Sequence, residues 1–218
     1  SGTVPNATAF CDELVERLRE YRPGVLRFWG SQLGAGLRNQ LAEPFARGTH
    51  GYQPKAAYGG TYSYSLHEFL ELCREIGAEP WYVMPPTFSQ EELAGLVEYL
   101  GAPAGAGSWA ALRAAQGQAA PWTEVFKAIH VEYGNEMWGT GSGDDPFYGA
   151  SAVGGTRLGQ IAQSRFNVIK ASPGYSDRIR LIVGGQAGWP PTNKDIMVGA
   201  QHADALAIAP YFGALKTW

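Results

Sequence analysis

Ile129-His130-Val131-Glu132-Tyr133-Gly134-Asn135-Glu136-Met137-Trp138-Gly139 is the stretch on which the fold reading turns. It opens with β-branched residues in alternation, the pattern of a buried strand. It then breaks into Gly-Asn-Glu-Met-Trp-Gly, a turn that carries an amide, a carboxylate and an indole. When strands alternate with helices, the sheet is parallel and its chemistry gathers at the C-terminal strand ends. The spacing therefore places Asn135, Glu136 and Trp138 on a loop at the mouth of such a sheet.

Outward from this strand the same unit repeats. Val25-Leu26-Arg27-Phe28-Trp29, Pro80-Trp81-Tyr82-Val83-Met84, Arg180 to Gly184 and Ala205 to Tyr211 read as further strands. Helices are predicted from Thr8 to about Tyr21, from Ser65 to Gly77, from Ser89 to Gly101, along 158–169, and from Asn193 to Ala200. Ser65 with Glu68 and Ser89 with Glu92 have the spacing of capping boxes. Gly77 and Gly101 read as their stops. Residues 30–64 form a long Gly-, Tyr- and Gln-rich segment of the kind that is uncommon without a role. Residues 102–122 form an excursion. About five strands and five helices result. The expected architecture is an α/β, (β/α)8 TIM barrel that is incomplete in this chain, about strands 2–6, as a single domain over 1–218. A full barrel has eight of each element in about 250 residues.

Composition narrows the function classes. The chain has 218 residues, 45% hydrophobic and 17% charged, with a formal net charge of -3. Its few, scattered Lys and Arg exclude a nucleic-acid footprint, and no run reaches the roughly 18 apolar residues of a membrane span. Seven Trp and eleven Tyr are many for this length, and aromatic rings in clefts suit flat, weakly polar ligands. Cys11 and Cys73 both fall on apolar helix stripes and read as buried free thiols; whether they pair is not decided by sequence. Gly34-Ala35-Gly36 lacks the third glycine of a dinucleotide fingerprint. Asp144-Asp145 on a Gly- and Ser-rich loop reads as a solvated turn. No metal and no cofactor are expected.

Two charged residues sit inside strands. Arg27 lies in an otherwise apolar run, where an unpaired charge is costly. It is read as pointing into a polar pocket toward a carboxylate. Glu132 shares a strand face with His130 and Gly134. It is read as a deep, buried partner for a basic group rather than as a reacting carboxylate.

His130 through Gly139 resembles the fourth-strand signature of the retaining glycosidases built on the (β/α)8 barrel. Within that clan two stretches are similar to the α-L-arabinofuranosidase type. One is Glu68-Phe69-Leu70-Glu71-Leu72-Cys73 leading to Gly77-Ala78-Glu79-Pro80. The other is Ala111-Leu112-Arg113-Ala114-Ala115 followed by Pro121-Trp122 and the Gly-Asn-Glu strand. The resemblance covers about residues 24 to 212. It implies that Glu136 is the general acid/base and Asn135 its 2-hydroxyl-binding neighbour. It further implies that Arg27 and Tyr211 lie beside a nucleophilic glutamate on a seventh strand. Because the chain stops at Trp218, that nucleophile is expected from an absent segment or a second chain, which would supply the rest of the barrel.

The match has departures. Trp29-Gly30-Ser31-Gln32 stands where the family has Gly-Gly-Asn, and Ala209-Pro210-Tyr211 where it has a histidine. Hence the reaction carries over better than the arabinofuranoside, and a β-glucan or xylan chain stays open. Gln32 is placed among the substrate-binding residues, and Trp29, Trp138 and Trp189 are candidate stacking platforms. The substrate is expected to be an oligosaccharide or polysaccharide of plant or microbial origin. A secreted or periplasmic location follows from that substrate, with a cytoplasmic one left open. The competing readings are a carbohydrate-binding barrel without catalysis and an unrelated doubly wound α/β protein.

Overall fold

A computed structural model describes residues 6–30, 36–50, 60–61, 64–139 and 149–210. In chain order the elements are α1 (Asp12–Tyr21), β1 (Val25–Phe28), α2 (Leu37–Gln40), a 3-10 turn (Pro44–Ala46), β2 (Thr49–His50) and β3 (Gly60–Thr61). Next come α3 (Leu66–Ile76), β4 (Glu79–Met84), α4 (Gln90–Gly101), α5 (Ser108–Ala115), α6 (Trp122–Val125) and β5 (Ile129–Tyr133). The remainder is α7 (Ala150–Val153), α8 (Gly155–Ala171), β6 (Ile179–Gly185), α9 (Pro190–Gly199) and β7 (Ala205–Ile208).

Five strands form one sheet in the order β1-β4-β5-β6-β7, each pair parallel. The order follows the sequence without a reversal. A doubly wound sheet must reverse strand order at a switch point, so that reading is excluded. Right-handed crossovers that always step the same way keep their helices on one side. The result is the arc of a barrel. Its helix-facing side carries Tyr82, Met84, Val131, Tyr133, Leu181 and Val183, all buried in a single core. Its other side carries Arg27, Trp81, His130 and Arg180, aligned in register across four strands.

Local chemistry explains most element ends. At Ser89 the capping box is complete: Glu92 N donates to Ser89 Oγ at 3.2 Å, and Ser89 N to Glu92 Oε2 at 2.9 Å. At Ser65 the backbone N donates to Glu68 Oε2 at 2.9 Å. That same carboxylate takes Arg47 on both oxygens, at 2.7 and 2.8 Å, and so pins the segment after β1 onto α3. Gly77 ends α3 with φ +75°, a left-handed position that glycine adopts at little cost.

Several expectations are corrected. The first helix starts at Asp12, because Thr8 N donates to Asn6 Oδ1 at 2.8 Å in a turn that precedes the helix. Cys11 is consequently exposed, while Cys73 is buried. Helix α4 runs through Gly101 instead of stopping before it; a Cβ there would collide with the Gly174 carbonyl oxygen, so this glycine permits close packing. Residues 30–64 are not one loop, since α2, the 3-10 turn and the β2–β3 ribbon occupy them. The 102–122 excursion holds α5 and a fully buried arginine. Arg113 donates to the carbonyls of Tyr99 (2.8 Å), Ala102 (2.7 Å), Gln118 (3.1 Å) and Ala119 (3.1 Å). The final strand ends at Ile208, and α9 begins at Pro190.

Helices α8 and α9 pack closely. A Cβ on Gly159 would meet the Ile196 carbonyl oxygen, and one on Gly199 the Thr156 carbonyl oxygen, both within clashing distance. Ordinarily Gly→Ala inside a helix stabilises by about 1 kcal/mol. Here the sign should reverse: Gly159→Ala is expected to lower stability by roughly 2 kcal/mol, the cost of forced overpacking, read from the midpoint of urea unfolding. A second expectation concerns the thiols. Burial pushes the Cys73 thiol up to about 12, so at pH 8 a disulfide reagent should titrate one thiol rapidly, Cys11, and the other only on unfolding.

Candidate active site

Arg27, Trp81 and Glu132 lie on the barrel-interior side of β1, β4 and β5, and form one network. Arg27 Nε donates to Glu132 Oε2 at 2.9 Å, with Nη2 2.8 Å from the same oxygen. Trp81 Nε1 donates to it as well, at 2.9 Å. The guanidinium carbon stands 5.7 Å from the centre of the Trp81 ring, a cation–π contact. Lower on the same face, His130 Nε2 lies 3.2 Å from Glu79 Oε2, and its ring meets Trp81 at 6.0 Å. Gly184 on β6 leaves room for the carboxylate: a Cβ there would come within 3.1 Å of Glu132 Oε1.

Burial raises the Glu132 carboxyl above its ordinary value; Arg27 and Trp81 pull it partway back, and the nearby Glu136 adds to the rise. An upward shift is the usual mark of a general acid. Geometry argues against that role here, since the side chain is only 4% exposed and its Oε2 is already occupied by donors. The sequence reading of Glu132 as a buried partner for a basic group, and of Arg27 as aimed at a carboxylate, describes one and the same ion pair.

Above this network the chain leaves β5 through two left-handed residues, Gly134 (φ +61°) and Glu136 (φ +51°). For Gly134 this is unstrained, and its N–H continues the ladder to the Met84 carbonyl at 3.0 Å. For a glutamate the same region is unfavourable, and such residues gather at functional sites. Gly139 N donates to the Glu136 carbonyl at 2.9 Å and Ala150 N to the Met137 carbonyl at 2.9 Å, which hold the turn. Met137 is buried beneath it. Asn135 Oδ1 accepts from Arg27 Nη2 at 2.9 Å.

These residues line a cavity of about 560 Å³ whose walls are Arg27, Trp81, Glu132, Asn135, Glu136 and Trp138, the Gly184–Gly188 loop and residues 207–209. Of the residues singled out from sequence, the structure thus brings together Arg27, Asn135, Glu136 and Trp138. Trp29 and Trp189 do not line the cavity; Trp189 is 47% exposed at the start of α9. Gln32 and Tyr211 lie outside the described residues, as do Asp144 and Asp145. Sequence reading missed Trp81 and the 184–188 loop. Alternation along β4 could have found Trp81, which must share the face of Glu79 when Tyr82 and Met84 face the helices. Among the described residues no group of three or more His, Cys, Asp or Glu is arranged to hold a metal, and no helix is long and apolar enough to cross a membrane.

The chain is similar to α-L-arabinofuranosidases. An intracellular exo-α-L-arabinofuranosidase of Bacteroides ovatus is 32% identical over 153 residues, 66% of this chain but only 28% of that protein. In fold, the chain superposes on the α-L-arabinofuranosidase of Thermotoga maritima with a TM-score of 0.71 at 20% identity, over 95% of this chain and 42% of that one. A family 51 α-L-arabinofuranosidase from Bifidobacterium longum gives 0.73 at 16% identity, over 95% and 40%. The chain therefore spans less than half of the length of these relatives. No protein-family model matches it. The expectation of secretion gains no support from the Bacteroides relative, which is described as intracellular.

The strain at Glu136 can be measured. Releasing a left-handed side chain returns about 1–2 kcal/mol, and the extra freedom of glycine in the unfolded chain takes back about 0.5–1 kcal/mol. Glu136→Gly is accordingly expected to raise the free energy of unfolding by roughly 0.5–1 kcal/mol in urea melts, although it removes the candidate acid.

Proposed function

We propose that this chain carries the acid/base half of a retaining α-L-arabinofuranosidase that acts on chain ends, with Glu136 as the general acid/base. The observation that carries this reading is the placement of Glu136 at the C-terminal end of a barrel strand. It lines a cavity beside an Asn and an Arg–Glu pair, on a backbone turn held in an unfavourable conformation. The 32% identity to an exo-acting arabinofuranosidase supports the substrate and the mode of action.

Retaining hydrolysis runs in two steps through a covalent sugar–enzyme ester. In the first, Glu136 gives its proton to the bridging oxygen as the bond to the sugar breaks, and a second carboxylate attacks the anomeric carbon. In the second, Glu136 takes a proton from water, which displaces the ester and returns the sugar with its original configuration. Asn135 binds a sugar hydroxyl next to the reacting carbon, and Trp138 offers a ring to the sugar face. Cavity-lining carboxylates among the described residues are Glu132 and Glu136, and Glu132 is spent on Arg27. On this reading the second carboxyl group sits on further strands that complete the ring. The two rim strands support this: Val25 on β1 is 41% exposed and Ile208 on β7 is 51% exposed, as open edges would be. Those strands come from a longer form of this polypeptide or from a second chain.

Glu136→Ala in the full-length protein is expected to lower kcat on natural arabinosides by at least about 10²-fold. Azide should partly restore turnover on an aryl arabinofuranoside, whose leaving group needs no proton, and yield the arabinosyl azide of retained configuration. Undiminished activity in the variant would remove Glu136 from the mechanism.

A further inference from the structure

Resting on the reading of Glu136 as the acid/base, we propose that Glu132 is a positioning residue for the same reaction: it anchors Arg27, and Arg27 fixes the orientation of the Asn135 amide. Arginine carries donors and no acceptor. The Asn135 atom 2.9 Å from Arg27 Nη2 must then be the oxygen, and the amide nitrogen must be the other branch. An amide is ordinarily ambiguous in this respect; the guanidinium removes the ambiguity. The amide plane is thereby set with its oxygen toward Arg27 and its N–H branch turned away from the guanidinium.

The guanidinium can hold the amide only if it is itself held. Its Nε and Nη2 both face Glu132 Oε2, at 2.9 and 2.8 Å, which fixes the plane of the group. The Trp81 ring packs against the guanidinium, its centroid 5.7 Å away, and the Trp81 indole N–H keeps Glu132 Oε2 in place. Nη2 bears two hydrogens, enough for the carboxylate and for Asn135. The Arg27 side chain is 37% exposed. Without its anchor it is released toward water, and the amide beside Glu136 loses the contact that sets its rotation. Glu132 never touches the sugar in this account; it acts through Arg27 on Asn135.

A kinetic double-mutant cycle tests this. Glu132→Gln keeps the size of the side chain and removes the charge. In the full-length protein, with 4-nitrophenyl α-L-arabinofuranoside, it should lower kcat/KM by at least about tenfold; any fall in the thermal midpoint from leaving Arg27 without its counter-charge is common to both backgrounds of the cycle and cancels. In an Asn135→Ala background the same change should cost less than about twofold, since its target is gone. Losses that multiply in the double variant would overturn the clamp. If Glu132→Gln fails to fold, Arg27→Met/Glu132→Leu, which leaves no lone buried charge, enters the cycle in its place under the same criterion. The four proteins are also titrated with L-arabinose by calorimetry, where coupling in Kd is read without turnover. If the cycle couples while Glu136→Ala stays fully active, the acid/base assignment falls and the clamp stands. If Glu136→Ala is inactive and rescued by azide while the cycle is additive, the clamp alone falls.

Discussion

A carboxylate set into the wall of a parallel sheet has to be answered by a cation, and the pairing of Glu132 with Arg27 is the constraint around which the site is arranged. Such a pair adds little net stability, because the desolvation of two charges offsets most of their attraction. Burial is the leading influence on Glu132 and raises its carboxyl. A group raised in the folded state favours folding at low pH, and that contribution is lost as pH rises through its folded value. The ionised pair is therefore maintained at a cost to stability. Its return is geometric: three strands, β1, β4 and β5, and the loop beyond β5 are tied together at one guanidinium, and the cavity wall takes one arrangement.

The fold supplies the rigid frame that this network needs. Strands in sequence order with helices on one face leave the other face for polar side chains. On the helix side, close approach is secured by small residues: Gly159 and Gly199 bring α8 against α9, and Gly101 brings α4 against the turn at Gly174. Arg113 ties the last turn of α4 to the 118–119 turn through carbonyl oxygens alone, with no carboxylate among the hydrogen bonds that hold it. These contacts lie on the far side of the sheet from the cavity. Substrate chemistry can thus change on the loops at the strand ends without disturbing the packing beneath.

Relatives in fold and sequence are arabinofuranosidases, and the walls of the cavity follow from this chain's own residues. Trp138 lines it while Trp29 and Trp189 do not, so a row of three aromatic platforms is not what the described walls present. Among its lining residues, Trp81 turns its N–H to a buried carboxylate, and beside Glu132 runs a glycine-rich stretch, Gly184 to Gly188.

Sequence by itself determined the alternation of strands and helices, the strand-end placement of Asn135 and Glu136, and the Arg27–carboxylate expectation, because each follows from short-range periodicity and from the cost of an unpaired charge in an apolar run. It did not reach which carboxylate Arg27 would meet, since Arg27 and Glu132 are far apart in the chain and only the β1-β4-β5 order brings them together. It placed Thr8 as a helix cap and Cys11 in the core, where a local asparagine turn delays the helix and leaves the thiol exposed. It read Gly101 as a helix stop, where the constraint is a neighbouring backbone. The left-handed turn at Glu136 was also out of reach. Glutamate has no preference for that conformation, so only the surrounding tertiary contacts, which hold the turn between β5 and α7, could impose it.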